Sequence, residues 1–266
     1  MLSTIFSYNA TDMIFSIHGE HWRQLRKICA IELFSAKRVQ SFKCIREEEV
    51  SDLVKSIAAS EGSVVNLTQK ISDVTHGIVA RAAFGKKNKH AQAFKSAIDE
   101  IVSLMGGFCI ADLYPSIKMF QRTSTAKKKF EKLHREIDMI MQDIVDDHKN
   151  IHREVSKDED LVDALLKIQQ ENENSQHRVT DVNVKSIILD IFGAGTETTS
   201  GIKSWCMSEM VKNPKVLEEA QAELLYNFNW KLPNNMKNEE LDMTESFGIS
   251  ARIKHDLCLI PIVRRL

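Results

Sequence analysis

The sequence predicts a mainly α fold built around one long central helix, closed at its C-terminal end by a short β hairpin or strand. Three observations predict it. Apolar residues recur at helical spacing through most of the first half, one uninterrupted helical stretch runs from Asp181 to Lys212, and period-two alternation is confined to Ile249 to Ile262. At 1.5 Å per residue the long stretch reaches roughly 48 Å, about the width of a domain, which places it through the middle of its fold.

Each element has its own justification. Between Glu20 and Phe34, Trp22, Leu25, Ile28 and Cys29 fall on one helical side while Arg23, Arg26 and Lys27 fill the gaps, so this is a short basic amphipathic helix. Helical patterns follow over Arg38 to Ser60, Leu67 to Phe84 and Ala91 to Met105, each ended by glycine or a glycine-containing turn. Gly106-Gly107 opens a loop through Asp112-Leu113-Tyr114-Pro115. Thr125 to His148 is a long helix with Phe130, Leu133, Ile137, Ile140, Ile144 and Val145 on one face. Two polar stretches, His152 to Asp160 and Gln169 to His177, flank a small helix over Leu161 to Ile168 as surface connections. Thr180 caps the long helix, Asp181 complements its dipole, and Pro214 stops it before a further helix over Lys215 to Leu225. After Asn227 the turn residues Pro233-Asn234-Asn235 lead to the alternating tail. The whole reads as one incomplete domain spanning residues 1–266.

Composition narrows the function classes. A chain of 266 residues, 43% hydrophobic and 27% charged, is long enough for a sizeable core. With 36 Lys+Arg against 37 Asp+Glu the net charge is −1, which argues against nucleic acid or an acidic membrane as partner. Cys29, Cys44, Cys109, Cys206 and Cys258 are odd in number and widely spaced, which predicts free thiols in a reducing compartment. The sequence as it stands shows no leader and no membrane anchor.

The chemistry concentrates in Ala194-Gly195-Thr196-Glu197-Thr198-Thr199, where a glycine, an acid and three hydroxyls interrupt an apolar helix. Gly195 lets something flat approach the helix, and the Thr198 hydroxyl can return to the carbonyl of Ala194 and loosen the ladder, leaving a small polar notch. Glu197 can relay protons into such a notch. The residues alone leave a second account open, in which small residues serve close packing and Glu197 points to solvent. Asp190, Ala194 and Thr198 share a face at i, i+4, i+8. Three other motifs fail on spacing. Gly193-Ala194-Gly195 lacks the third glycine and the strand of a dinucleotide fingerprint, Gly195 to Ser204 misses phosphate-loop spacing, and His148 with His152 reads as a solvated helix face rather than a metal pair.

Trp22-Arg23-Gln24-Leu25-Arg26-Lys27 together with Ala194 to Ser200 resembles the microsomal haem-thiolate monooxygenases of the cytochrome P-450 superfamily, the plant type in particular. Ala10 to Ser16, Ala111 to Lys118, Glu131 to Asp138, Asp160 to Gln169, Trp205 to Glu223, Tyr226 to Pro233 and Leu241 to Gly248 extend the resemblance over nearly the whole chain. It implies a haem cofactor, an apolar small-molecule substrate, an NADPH-dependent reductase as electron donor, and the cytoplasmic side of the endoplasmic reticulum as location. Trp22 and Arg26 are implied to bind a haem propionate, and Ala194 and Gly195 to let the haem and dioxygen lie against the helix. Glu197 and Thr198 are implied to be the acid-alcohol pair that delivers protons, and Phe15 and Asp190 to face the substrate.

Two family features are missing from the sequence. No cysteine sits in a Phe-rich, Gly-containing loop, so no metal ligand is assigned, and the one ExxR match, Glu20 to Arg23, lies inside the first basic helix. The resemblance runs continuously to Glu223 and resumes at Leu224 with sequence that belongs well after the thiolate loop, which predicts a deletion junction near 223–224. The resulting expectation is a partial cytochrome P-450 fold that binds haem poorly, lacks monooxygenase competence, and is either cytosolic or degraded. The competing expectations are a non-catalytic helical protein that binds a ligand or a partner, and a variant transcript of a complete enzyme.

Overall fold

The computed structural model describes residues 2–85, 90–105, 125–151, 159–171, 178–223, 227–246 and 250–264. These fall into two compact units, Met1–Lys43 with Val79–Gly195, and Cys44–Ile78 with Thr196–Leu266. The fold is mainly α in both.

The first unit holds α1 (Leu2–Phe6), α2 (Glu20–Ile28), which continues as one wider π turn over Cys29–Leu33, and α3 (Ala36–Ser41). The single helix expected over Arg38 to Ser60 is broken at Phe42, whose ring turns into the core of this unit, and α4 (Lys43–Ala58) starts afresh after it. Further along come the end of α5 (Leu67–Phe84), α6 (Ala91–Met105), α7 (Thr125–Ile151), α8 (Leu161–Glu171) and the first half of α9 (Asp181–Lys212). α7 packs against α1, α6 and α8. At the centre, Phe84 stacks on Phe192 at 5.1 Å and Phe94 meets both rings edge-on, with centroids 5.5 and 4.7 Å away. Three rings in these stacked and edge-to-face geometries bury a large apolar area.

Caps set the helix starts. Asp160 precedes α8, and its Oδ1 accepts from Asp163 N at 2.9 Å while Asp163 Oδ2 accepts from Asp160 N. Thr180 precedes α9 and exchanges bonds with Asn183, whose backbone N donates to the Thr180 hydroxyl at 3.3 Å. Asp181 then pairs with Lys149 at 2.7 Å. A polar network missed at the sequence level, Tyr8, Asp138 and Lys185, ties α7 to α9. Lys185 Nζ donates to Asp138 Oδ1 at 2.5 Å, and the Tyr8 hydroxyl donates to the same oxygen at 2.9 Å. Burial works against the Asp138 charge, yet these two donors outweigh it and hold the carboxyl below its usual range.

The second unit contains α4, the start of α5, the second half of α9, α10 (Pro214–Glu223) and five short strands. β1 (Val65–Asn66), β2 (Phe228–Lys231) and β5 (Cys258–Val263) form an antiparallel sheet in the order β1-β5-β2, with Val65 opposite Leu259 and Phe228 opposite Val263. β3 (Glu245–Ser246) pairs with β4 (Arg252–Ile253). Ile57, Leu67, Ile71, Met207, Val211, Phe228 and Leu259 make its core. The alternating tail is therefore strand, but β5 pairs with distant segments rather than closing on itself. Among the described residues no helix is long and apolar enough to cross a membrane. Cys109, the Asp112 to Pro115 loop and Leu224 lie outside the described residues.

Candidate functional site

The residues around α9 divide into three groups. In the first unit, α2 brings Trp22 and Arg26 together as their i, i+4 spacing predicts, the guanidinium lying 5.0 Å from the indole centroid. The indole N–H is already committed, donating to Met13 O at 3.2 Å, while Arg26 is exposed. The segment ahead of α2 runs along α9. Phe15 meets Phe6 edge-on at 6.5 Å, and the Phe6 ring lies against Gly193, 3.5 Å from where its Cβ would be.

Asp190 and Phe15 are thus brought into one neighbourhood. The Asp190 carboxyl is 1% exposed and its Oδ2 accepts from Met13 N at 2.9 Å. Beside it lies the carboxyl of Asp12, a site residue the sequence reading passed over, whose Oδ1 accepts from Phe15 N at 2.8 Å. Burial, and then the neighbouring Asp12, push Asp190 up to about 8.

The notch itself has two faces. At Gly195 a Cβ would meet only Val79 Cγ2, at 3.9 Å, an ordinary contact distance, so packing within the described residues does not by itself demand a glycine there. One turn apart, Ala194 and Thr198 are exposed, and the same stripe continues to Ile202 at 65% exposure. Glu197 does not point to solvent. It is 5% exposed, and its carboxylate accepts from the Ser250 hydroxyl at 2.5 Å and from the Arg252 guanidinium through both oxygens. The Ser250 to Arg252 segment therefore rests on α9 between Glu197 and Trp205. Trp205 Nε1 donates to Ala251 O at 2.9 Å and Gly201 faces the same carbonyl.

A metal-ligating thiol must ionise readily. Cys29 is fully buried, and burial, reinforced by Asp190, pushes its thiol up to about 12. Cys258 sits in β5 opposite Asn66 with its thiol raised by burial, and Cys44 and Cys206 are exposed. With Glu197 held by Arg252, the Trp22 N–H spent on Met13 and burial raising the Cys29 and Cys258 thiols, this arrangement does not fit a thiolate-ligated haem. His148, Asp160 and Asp163 are one group whose donor atoms lie within 4.8 Å of one another. Both His148 nitrogens face acceptors, Ile144 O at 2.7 Å and Asp160 Oδ2 at 2.9 Å, so the ring is an imidazolium with no lone pair for a metal.

A family profile described as Cytochrome P450 (written P-450 here) matches residues 2–245. The chain belongs to the cytochrome P-450 family. Among curated P-450 proteins it is 39% identical to cytochrome P-450 71D10 of Glycine max, an alignment that takes in 99% of this chain and 77% of that protein. It is 46% identical to tabersonine 16-hydroxylase 1 of Catharanthus roseus over 97% of this chain and 51% of that one, and 43% identical to desmethyl-deoxy-podophyllotoxin synthase of Sinopodophyllum hexandrum over 96% and 50%. The chain thus spans about half the length of these last two relatives. A zebrafish P-450 solved with abiraterone superposes with a TM-score of 0.68 at 20% identity, covering 85% of this chain and 50% of that one, which shows the shared fold.

The alignment with the Glycine max P-450 is 397 residues long, against 266 in this chain, so at least 131 of its positions have no residue here. A second alignment, to cytochrome P-450 71D11 of Lotus japonicus, is 393 residues long and takes in 99% of this chain. The relatives are plant P-450 monooxygenases, and this chain is a plant-type fragment of that fold.

Proposed function

We propose that this polypeptide is an internally shortened plant P-450 whose line inserts one oxygen atom into an apolar small molecule, and that the chain as it stands does not carry out that reaction. The missing block falls near 223–224, where continuity with the family breaks, and it held the thiolate loop. Its intact relatives draw electrons from an NADPH-dependent reductase on the cytoplasmic side of the endoplasmic reticulum. In this chain Trp22 and Arg26 are the remnant of a propionate clasp. Ala194, Gly195, Glu197 and Thr198 are the remnant of the oxygen-side wall, and Phe15 and Asp190 of the substrate-side wall.

The single observation that carries this reading is that an alignment of 397 positions takes in 99% of this chain of 266 residues, so that at least 131 positions of the relative are skipped. The arrangement of the remnant supports it, since Glu197 is paired with Arg252 and burial raises the Cys29 and Cys258 thiols. Without a fixed axial sulfur there is no strong donor to the iron. The test is to titrate the purified protein with haem, reduce it and add carbon monoxide. No strongly red-shifted Soret band is expected, and its appearance would overturn the proposal. Amplifying the transcript across Glu223 and Leu224 tests the junction, because a longer product alone would restore the enzyme.

A second reading, a non-catalytic helical binding protein, draws on the exposed stripe of Ala194, Thr198 and Ile202. Stoichiometric co-purification with an intact relative is the result that would favour it.

A further inference from the structure

The pairing of two buried carboxyl groups, Asp12 and Asp190, is left unexplained by that proposal, which uses Asp190 alone as part of the substrate-side wall. Asp12 is fully buried and Asp190 is 1% exposed. One oxygen of each is accounted for, by Phe15 N and Met13 N, and the other oxygen of each, Asp12 Oδ2 and Asp190 Oδ1, is buried with no donor. The two side chains are within hydrogen-bonding reach of each other. Two carboxylates cannot bond to one another, whereas a carboxyl and a carboxylate can, so a single proton between them satisfies both stranded oxygens.

We propose that Asp12 and Asp190 share one proton, and that this pair is a pH-operated latch holding the segment from Ser7 to Gly19 against α9. Loss of the proton to solvent base leaves two carboxylates facing each other in an apolar pocket, and their repulsion opens the contact. The segment is built to spring. Tyr8, Asn9 and Ala10 lie at φ of 49°, 62° and 59°, three successive non-glycine residues in the left-handed region, which the surrounding contacts must hold in place.

The latch touches more than itself. Met13 N bonds Asp190, and Met13 O accepts the Trp22 indole, so opening removes the support of Trp22. Apart from each other, the titratable groups that face the pair come from α2 and its π turn, namely the Cys29 thiol with Arg26 beside it. Burial raises both acids, and the neighbouring Asp12 raises Asp190 further, to about 8, while the bond to Asp190 works the other way on Asp12; opening therefore lies on the alkaline side of neutrality.

Hydrogen exchange on the full chain tests this, read at the Met13 and Phe15 amides and corrected for base catalysis. Protection at both amides is expected to fall about tenfold for each pH unit as the pair's titration is approached from below, and to level off above it. Asp190→Asn keeps an acceptor for Met13 N and supplies a neutral donor toward Asp12, so its protection is expected to stay flat with pH. Asp12→Asn provides the reciprocal variant should the first not fold. Wild-type protein at neutral pH should also show the infrared carbonyl stretch of one protonated carboxyl, lost on the alkaline side. Protection that does not change with pH, an equal step in the variants, or the absence of that infrared band would overturn the latch. So would restoration of alkaline protection by calcium in the wild type alone, which would mean the pair binds a cation instead.

Discussion

Replacing His148 by alanine offers a quantitative test of the first unit. The ring bridges α7 to the cap of α8, donating to Ile144 O at 2.7 Å and to Asp160 Oδ2 at 2.9 Å. Burial disfavours its charge, but the Asp160 bond and charge outweigh that and raise it from 6.5 to about 9. Between those values the native ring keeps a proton that the unfolded ring has lost. The full linkage is about 3.4 kcal/mol at about 1.36 kcal/mol per pH unit, which solvent screening at a partly exposed site reduces to about 2 kcal/mol. Because the folded value is raised, this stability is complete below pH 6.5 and disappears as pH rises through about 9. Urea unfolding of wild type and His148→Ala, followed by circular dichroism at about pH 6 and about pH 10, should show a gap that shrinks by about 2 kcal/mol. An equal gap at both pH values, or one that widens as pH rises, would refute the charged bridge.

Two further outcomes follow from the packing and the ion pair. A double-mutant cycle of Glu197→Gln and Arg252→Ala should give a coupling of about 2 kcal/mol in urea unfolding, below the full value for a buried pair because Arg252 is 47% exposed. Coupling under about 0.5 kcal/mol would show that Arg252 merely lies over the acid. Phe192→Ala should cost about 3–5 kcal/mol by emptying the centre of the aromatic triangle, and Phe192→Leu clearly less. An alanine variant within about 1 kcal/mol of wild type would mean the three rings are not tightly packed.

Sequence periodicity located the helices well because their starts and stops are chemical. Leu67–Phe84, Ala91–Met105 and Asp181–Lys212 have the bounds that glycine, proline and the Thr180 cap predict. The break at Phe42 was not readable, since a helical period continues through it and only tertiary burial of the ring decides the matter. β1 and β2 were missed for a related reason. Val65-Asn66 is too short to show alternation, and both strands exist only because β5 pairs with them. At the site, Trp22 with Arg26 and the glycine of α9 were visible as motifs. The partners of Glu197 and Asp190 were not, because Arg252 lies 55 residues from Glu197 and Met13 lies 177 from Asp190 along the chain, and no local pattern encodes such pairings.

The order β1-β5-β2 carries a consequence for synthesis. The middle strand is the last of the three to be made, so Val65 waits for Leu259 and Phe228 for Val263. At about 5–20 residues per second, the interval between Val65 and Leu259 is about 10–40 s on the ribosome, far longer than local helices need to form. Through that interval Ile57, Leu67 and Ile71 have no finished interior to enter. Nascent chains of this protein will therefore depend on chaperone holding in their second unit, and pausing of translation before residue 258 will lengthen the exposure in proportion.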